Sequence, residues 1–129
     1  SMDETFSEQE SLLRAVYPAT RRPDFWNNGR LSSAALKDKR GLSVERTYDR
    51  TVKDATLSMS QRFQGLVVSI TVRACNAVQA YIKYCPSQNS PYHSEIHGSP
   101  AQVELSDTQA LLLARSATIQ FVPNLEYSV

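Results

Sequence analysis

The sequence of 129 residues has little of what would define several protein classes: it contains two cysteines, four glycines and six prolines. Two cysteines are too few for a disulfide-stabilised secreted protein, and so few glycines and prolines exclude collagen-like and low-complexity chains. No apolar run approaches the roughly 20 residues that span a bilayer. The first residues also lack the basic start and apolar stretch of a signal peptide. We therefore expect a soluble, cytoplasmic protein that does not enter a membrane, with Cys75 and Cys85 as free thiols.

What remains is the composition of one globular domain. Hydrophobic residues make up 41% of the chain and charged residues 21%, enough for one core, and the length is too short for two domains. We expect a flexible N-terminus at residues 1–6, which starts with a Ser1-Met2 pair typical of an expression leader. The domain covers residues 7–122, and residues 123–129 form a C-terminal tail. This tail holds three apolar side chains whose docking or fraying stays open: Leu125, Tyr127 and Val129.

Positive charge is concentrated in one part of the chain. Residues 14–53 contain ten basic and four acidic residues, a net charge of +6, whereas residues 1–13 carry four acidic residues and no base. A charge of this size attracts phosphate groups and polyanions. The alternative is that these side chains lie on a solvated face and pair with the acidic N-terminus. Under the first alternative, the basic segment is the region to test for a ligand.

The first half of the chain gives weak structural signals. Ser7 to Glu10 has the form of a capping box and predicts a short helix through residues 12–16, but a strand across residues 12–17 is an equal alternative. Residues 18–50 show no sustained hydrophobic period and contain turn signals. Their apolar and aromatic side chains favour order, so we predict a long ordered basic loop.

The second half is regular. Helices are predicted from Thr51 and from Ser106, each followed three residues later by a capping-box partner. Alternating or extended apolar segments predict strands at residues 66–74, 78–84, 92–97, 102–105 and 118–122. The first two of these strands are predicted to pair as an antiparallel hairpin. The predicted fold class is α+β, an antiparallel sheet of about four or five strands with two or three helices and a long ordered basic loop.

The basic segment holds side chains suited to an anionic ligand, because guanidinium, ammonium and hydroxyl groups bind phosphate. The candidate ligand-binding residues are Arg30, Ser32, Ser33, Lys37, Arg40 and Ser43. Neither a P-loop nor a glycine-rich dinucleotide fingerprint is present, so no nucleotide-binding fold is identified. The structural alternative is that Ser32 and Ser33 cap a short helix over residues 34–37.

The segment His93-Ser94-Glu95-Ile96-His97 is the second candidate site. His93 suits general acid–base catalysis because the unperturbed pKa of imidazole is about 6.5. On a strand, His93, Glu95 and His97 point to one side and make a set of transition-metal ligands, although their order is not the H-E-x-x-H of metalloproteases. The alternative is a polar loop whose histidines bond to neighbouring carbonyls. We assign no cofactor from the sequence, and this trio remains the metal-binding alternative.

Several stretches resemble short bacterial proteins of unassigned function. They are residues 30–37, residues 41–44, Asn89 with His93 and Ile96, and residues 105–114. The resemblance extends from Leu12 to Ala117. It implies a bacterial, cytoplasmic origin and carries no activity that can be transferred.

These observations support three functional hypotheses. The first is a small bacterial binding domain for an anionic ligand, which is a nucleotide, a phosphorylated molecule or a nucleic acid bound through residues 30–50. The second is an enzyme acting on a nucleotide or phosphorylated substrate, and it requires residues 30–44 to converge with His93 in one pocket. The third is a protein-interaction subunit, in which an apolar tail or sheet edge pairs with a protein partner or with a second copy of the chain. Whether the chain is an enzyme stays open.

Overall fold

The computed structural model describes residues 2–124, which form an α+β domain. Its strands are β1 (Ser11–Val16), β2 (Trp26–Asn27), β3 (Arg30–Leu31), β4 (Leu42–Arg46), β5 (Leu66–Thr71), β6 (Tyr81–Tyr84), β7 (His93–His97) and β8 (Thr118–Phe121). Its helices are α1 (Val52–Arg62), α2 (Val72–Ala77) and α3 (Asp107–Ser116), and short 3₁₀ turns occupy Pro23–Phe25 and Ser33–Leu36. The α+β class, the antiparallel sheet and the number of α-helices are therefore as predicted.

Six strands form one antiparallel sheet in the order β6-β7-β4-β1-β5-β8, and β2 and β3 form a separate two-stranded hairpin. The α2 and α3 helices and the Ser33–Leu36 turn cover one face of the sheet, and α1 packs on the other. The main sheet has more than the predicted four or five strands because β1 and β4 belong to it, whereas residues 102–105 do not. These layers define two separate surfaces on which a site can be built.

Side-chain alternation along the strands divides the core in two. The face under α3 holds the larger cluster, which includes Leu12, Val44, Val68, Ile70 and Ile96. The face under α1 holds a smaller cluster of Leu13, Ala55, Met59 and Val67. A slip of one residue would exchange the two faces of a strand, so burial on both sides fixes the register of the central strands.

A buried arginine holds the N-terminal residues against the sheet. Arg46 of β4 is fully buried, and its guanidinium forms a bidentate pair with the Glu10 carboxylate at 2.8 Å. The same guanidinium donates to the carbonyls of Asp3 and Thr5 and lies 4.0 Å from the centroid of the Phe6 ring. Because a buried charge is tolerated only when it is paired and hydrogen-bonded, these contacts tie the N-terminal segment to a central strand.

The predicted hairpin of residues 66–74 and 78–84 is wrong. β5 ends at Thr71, whose side chain caps α2 by accepting the Ala74 amide at 3.1 Å. β5 lies between β1 and β8, whereas β6 pairs with β7 at the opposite edge of the sheet. Val72 and Cys75 are buried on one side of α2. Over so short a stretch, the same apolar residues fit the alternation of a strand and the buried side of a helical turn.

The prediction of one long loop over residues 18–50 is also wrong. The segment contains the β2–β3 hairpin, whose turn residues Asn28 and Gly29 have φ of 51° and 77°, and the central strand β4. Such a pair of positive φ values is typical of a tight hairpin turn. Of the two alternatives for residues 12–17, the strand is observed, as β1.

Both predicted helix starts are confirmed. Thr51 caps α1 and Ser106 caps α3, each accepting the backbone N–H three residues further on, at 3.0 and 3.1 Å. The strands predicted at residues 92–97 and 118–122 correspond to β7 and β8. Residues 102–105, predicted to be extended, form no strand of the sheet and make a single bridge between Gln102 and Ser99.

Other expectations concern the thiols, the membrane and the tail. Cys75 and Cys85 are free cysteines, and only Cys75 is fully buried. Within residues 2–124, no helix is long and apolar enough to cross a membrane. The tail side chains Leu125, Tyr127 and Val129 lie outside the described residues.

Candidate functional site

A cleft of about 800 Å³ lies between the β2–β3 hairpin on one side and α3 with the start of β8 on the other. We call it the arginine cleft, after Arg30 and Arg115 on its walls. Much of its lining is apolar and comes from Leu31, Val68, Leu111, Ala114, Ala117 and Ile119. Its volume lies within the roughly 300–1,000 Å³ that is usual for small-molecule sites, which are mostly apolar with a few placed polar groups.

The charges of the arginine cleft are of one sign. None of the described residues that line it is acidic, and neither Arg30 nor Arg115 forms an ion pair with any of residues 2–124. Both side chains belong to exposed residues. Ser33 also lines the cleft and makes no side-chain hydrogen bond within the described chain. The cleft therefore offers two guanidinium groups and a hydroxyl to an incoming anion.

The β2–β3 hairpin places Arg30 at the cleft. The turn before Arg30 is tight, and Leu31 after it is buried in the main core. At the other end of the hairpin, the Trp26 indole N–H donates to the Tyr17 carbonyl at 2.7 Å. Ser32 follows and donates its hydroxyl to the Asp24 carbonyl at 2.5 Å. Arg30 thus stands on an anchored turn rather than on a free loop.

The other predicted ligand residues lie elsewhere. Lys37 donates to the Leu105 carbonyl at 2.6 Å and pairs with Asp107 at 3.0 Å, so its charge is used at the start of α3. The Arg40 side chain is 93% exposed, and its Nε lies 3.8 Å from Oδ1 of Asp38. The structure therefore brings Arg30, Ser32 and Ser33 together and leaves Lys37, Arg40 and Ser43 outside the arginine cleft.

Ser43 lies instead beside His93, on the opposite face of the sheet. α1 packs mainly over β1, β5 and β8 on this face, and the outward side chains of β6 remain exposed. We call the polar surface formed by Ser43, Cys85, His93, Glu95 and His97 the histidine face. Antiparallel pairing of β4 with β7 sets Ser43 opposite Glu95 and places these side chains on one side.

His93 is held at both ring nitrogens. Nδ1 lies 2.9 Å from the carbonyl oxygen of Cys85, and Nε2 lies 3.3 Å from the Ser43 hydroxyl oxygen. A carbonyl only accepts, so the neutral ring carries its proton on Nδ1 and accepts from Ser43 at Nε2. This is the order of groups that activates a serine in nucleophilic catalysis: a hydroxyl, an imidazole base and an acceptor that orients the base.

A small apolar cavity of about 120 Å³ adjoins this pair and is lined by Ser43, His93, Met59 and Phe63 among others. Arg14 also lines it and spans the space between β1 and β4: its Nη1 donates to the Ser43 carbonyl at 2.9 Å. Burial lowers the pKa of Arg14, partly offset by Asp38. Arg14 is not among the site residues predicted from the sequence. The signal was a charged residue inside the apolar run of residues 12–16.

The sequence trio lies on one face, as a strand requires, but its members differ in their contacts. His97 is nearly buried, and its Nε2 lies 2.8 Å from Oε1 of Glu95. Gly41 packs against this pair, because a Cβ at position 41 would lie 2.3 Å from the same carboxylate oxygen. Cys85 is the neighbour that the sequence analysis missed, and burial and the nearby Glu95 charge raise the pKa of its thiol.

The two surfaces are separated by the sheet. The arginine cleft lies on the side of α3, and the histidine face lies on the side of α1. Among the predicted ligand residues, Ser43 lines the cavity beside His93, whereas Arg30, Ser32 and Ser33 line the cleft on the other side. The convergence required by the enzyme hypothesis is therefore limited to Ser43.

The chain is a small α+β domain whose antiparallel sheet carries one candidate surface on each face. Comparison with protein-family models, with curated proteins and with solved structures found no significant match. The function is accordingly inferred from the geometry of the two surfaces.

Proposed function

We propose that this domain binds an anionic small molecule with an apolar or aromatic body in the arginine cleft. The observation that carries the proposal is a cleft of about 800 Å³ with Arg30 and Arg115 at its walls, neither of them in an ion pair with the described residues. Guanidinium groups bind carboxylate and phosphate through two parallel hydrogen bonds. The apolar lining supports a ligand whose remaining surface is not charged.

The remaining basic side chains favour a small molecule over a nucleic acid. Arg46 is fully buried against Glu10, and Arg14 is bonded to carbonyls inside the fold. Lys37 and Arg50 also face carboxylates, at 3.0 Å and 3.8 Å. Many of the basic side chains of residues 14–53 are thus already paired with carboxylates or hydrogen-bonded to carbonyls within the fold. A nucleic acid needs an extended row of free cations along its backbone, whereas a single anionic group needs one or two.

The Ser43–His93 pair supports a second candidate function, a hydrolytic or proton-transfer activity on the histidine face. The observation in its favour is the hydrogen-bonded order of Ser43, His93 and the Cys85 carbonyl. In this candidate His93 acts as the general base at Nε2 and Ser43 is the group it deprotonates. It does not depend on the arginine cleft, so the two candidates are tested with different variants.

The binding proposal is tested by thermal unfolding of the full chain with added probes. The probes are inorganic phosphate, AMP, decanoate and a short single-stranded DNA, each at low and moderate salt. A ligand at about 100 times its Kd stabilises the native state by about 2.7 kcal/mol. We expect AMP or decanoate to raise the Tm more than inorganic phosphate, because only they have a body that can contact the apolar walls.

Variants then locate the binding. We expect Arg30→Gln and Arg115→Gln each to weaken binding at least about tenfold, since a hydrogen bond to a charged group contributes about 1.5–3 kcal/mol. Arg40→Gln is the matched control, because that side chain is 93% exposed and outside the cleft. Equal weakening by Arg40→Gln, or stabilisation only by DNA that disappears with salt, would contradict the proposal. A complete lack of stabilisation by every probe would also contradict it and would favour a protein partner.

A further inference from the structure

A cysteine, a histidine and a glutamate meet at the end of the β6–β7 hairpin. One ligand atom from each of Cys85, His93 and Glu95 lies within 4.8 Å of the other two. The pairing that produces this cluster is antiparallel: Lys83 lies opposite Glu95, and the Cys85 amide donates to the His93 carbonyl at 3.1 Å. Thiolate, imidazole and carboxylate are the three side-chain ligand types of zinc.

The distance between two of these atoms fits a shared metal ion. The Cys85 Sγ lies 3.5 Å from Nδ1 of His93. Zinc–sulfur and zinc–nitrogen bonds of about 2.3 Å and 2.0–2.1 Å at a tetrahedral angle put the two ligand atoms about 3.6 Å apart. A Glu95 carboxylate oxygen lies within 4.8 Å of both atoms, and it has to move closer to reach the usual carboxylate–zinc distance of about 2.0–2.2 Å.

We propose that Cys85, His93 and Glu95 form a binding site for a divalent transition metal of the zinc class. The site is independent of the arginine cleft, which lies on the other side of the sheet. Three protein ligands leave one tetrahedral position for water or a ligand, which is the arrangement of catalytic rather than structural zinc. Binding exchanges the metal for the thiol proton, and the ring proton of His93 moves from Nδ1 to Nε2, so one proton is released per metal bound.

The surrounding groups suit this exchange. With the metal on Nδ1, the Nε2–H of His93 donates to the Ser43 hydroxyl oxygen, which already lies 3.3 Å away. Metal-binding histidines generally make such a bond with the other ring nitrogen, because it fixes the orientation of the ring. His97 holds the Glu95 carboxylate at 2.8 Å, and Gly41 leaves the space that this carboxylate occupies. Ser43 and His97 are therefore positioning residues of the site.

The competing arrangement is a hydrogen-bonded hairpin end without metal. There the Nδ1–H of His93 donates to the Cys85 carbonyl at 2.9 Å, and the thiol remains protonated. The two arrangements place the ring proton on different nitrogens and differ in the state of the sulfur. A spectroscopic signal from a metal–thiolate bond therefore separates them.

The test is a titration of the full chain with Co²⁺ followed by competition with Zn²⁺. We expect one Co²⁺ per chain, a sulfur-to-cobalt charge-transfer absorption and the intense visible bands of tetrahedral cobalt, all displaced by Zn²⁺. Cys85→Ser is expected to abolish the charge-transfer absorption, and His93→Gln and Glu95→Gln to weaken binding by at least about tenfold. Cys75→Ala is the matched control, since that buried thiol lies outside the cluster and should leave the spectrum unchanged.

Circular dichroism of each variant establishes that it is folded before its spectrum is compared. Ser43→Ala adds a readout that a merely structural residue would not move: weaker Co²⁺ binding with the charge-transfer absorption retained. The proposal is overturned if the wild-type chain shows no charge-transfer absorption, or if folded Cys85→Ser keeps it. Equal affinity of wild type and folded Glu95→Gln would also overturn the three-ligand site.

Discussion

Replacement of Arg46 by methionine is expected to be among the most destabilising single changes in the domain. The side chain is fully buried, and its guanidinium makes four hydrogen bonds, two to the Glu10 carboxylate and one each to the carbonyls of Asp3 and Thr5. The Glu10 side chain is only 6% exposed, so Arg46→Met leaves a carboxylate without its partner in a buried position. Breaking a buried ion pair from one side costs about 3–5 kcal/mol, and we expect a loss in that range.

The double variant Glu10→Gln/Arg46→Met separates this cause from lost packing. It removes the orphaned charge, so it should recover at least about 2 kcal/mol relative to Arg46→Met alone. Arg73→Met is the matched control, because its pair with Glu8 spans 3.4 Å and both side chains are more than half exposed, at 69% and 54%. An exposed pair contributes about 0–1 kcal/mol.

The free energy of unfolding is measured by urea denaturation of all variants at pH 7 and fixed ionic strength. Limited proteolysis of residues 2–9 provides a second readout, since Arg46 holds that segment to β4. A loss below about 1 kcal/mol for Arg46→Met, similar to that of Arg73→Met, would refute the reasoning. So would a double variant that is no more stable than Arg46→Met.

Three further predictions concern Gly41 and Cys75. Gly41→Ala should lower the free energy of unfolding, measured by urea denaturation, by about 1–3 kcal/mol, because φ at this position is +106° and the added Cβ meets the Glu95 carboxylate. Gly29→Ala is the control and should lower it less, because φ is +77° there and the added Cβ meets open space. Equal losses for the two variants would contradict the clash with Glu95. Thiol labelling of the native chain at pH 8 should modify Cys85 and spare Cys75, because Cys75 is buried and burial raises the pKa of its thiol to about 12. Labelling of both thiols at equal rates would contradict the burial of Cys75. Above about pH 8.5 the Cys75 thiol is ionised in the unfolded chain but stays neutral in the native state, because its native pKa is about 12. Its contribution to stability is therefore fully present below about pH 8.5 and falls above it by at most about 1.4 kcal/mol per pH unit. Cys75→Ala should flatten this decline in urea denaturation.

Local hydrogen-bonding patterns were sufficient to predict the two longer helices. Thr51 and Ser106 bond to amides three residues away, and such short-range contacts can be recognised in a sequence. The α2 helix was not predicted, because apolar residues from Leu66 onward continue the alternation of a strand past Thr71. Nothing in that short stretch separates a strand from a helical turn except the capping bond of Thr71 itself.

The central strand β4 was hidden by its charges. Its side chains alternate between the two faces, but the inward position 46 is an arginine and the outward position 45 is a buried glutamate. Sequence patterns treat such residues as exposed, since Arg and Glu are rarely buried without a partner. The partner of Arg46 is Glu10, which is 36 residues away in the chain, and only the folded sheet brings the two together.

Cys85 was missed because of the wrong hairpin. With residues 78–84 paired to β5, nothing connects Cys85 to His93. With β6 paired to β7, Tyr84 lies opposite Ser94. Because the strands are antiparallel, Cys85, which follows Tyr84, must then lie beside His93, which precedes Ser94. The ligand types were visible in the sequence, but their assembly depended on strand order, which is a non-local property of the sheet.

The charge distribution of the sequence also acquires a different meaning in the fold. The acidic N-terminus and the basic segment do pair in part, through Glu10 and Arg46, and the contacts of Arg46 hold residues 3–10 against β4. Two further basic side chains also have partners within the fold. Lys37 pairs with Asp107 at the start of α3, and Arg14 donates to the Ser43 carbonyl of β4. The cation that faces a cleft without such partners is Arg30, and it is joined there by Arg115, which lies far outside the basic segment. The charge of residues 14–53 predicts an anionic ligand, but the place of the proposed site depends on which arginines the fold leaves unpaired. For this reason the arginine cleft, rather than the whole of residues 30–50, is the surface to test.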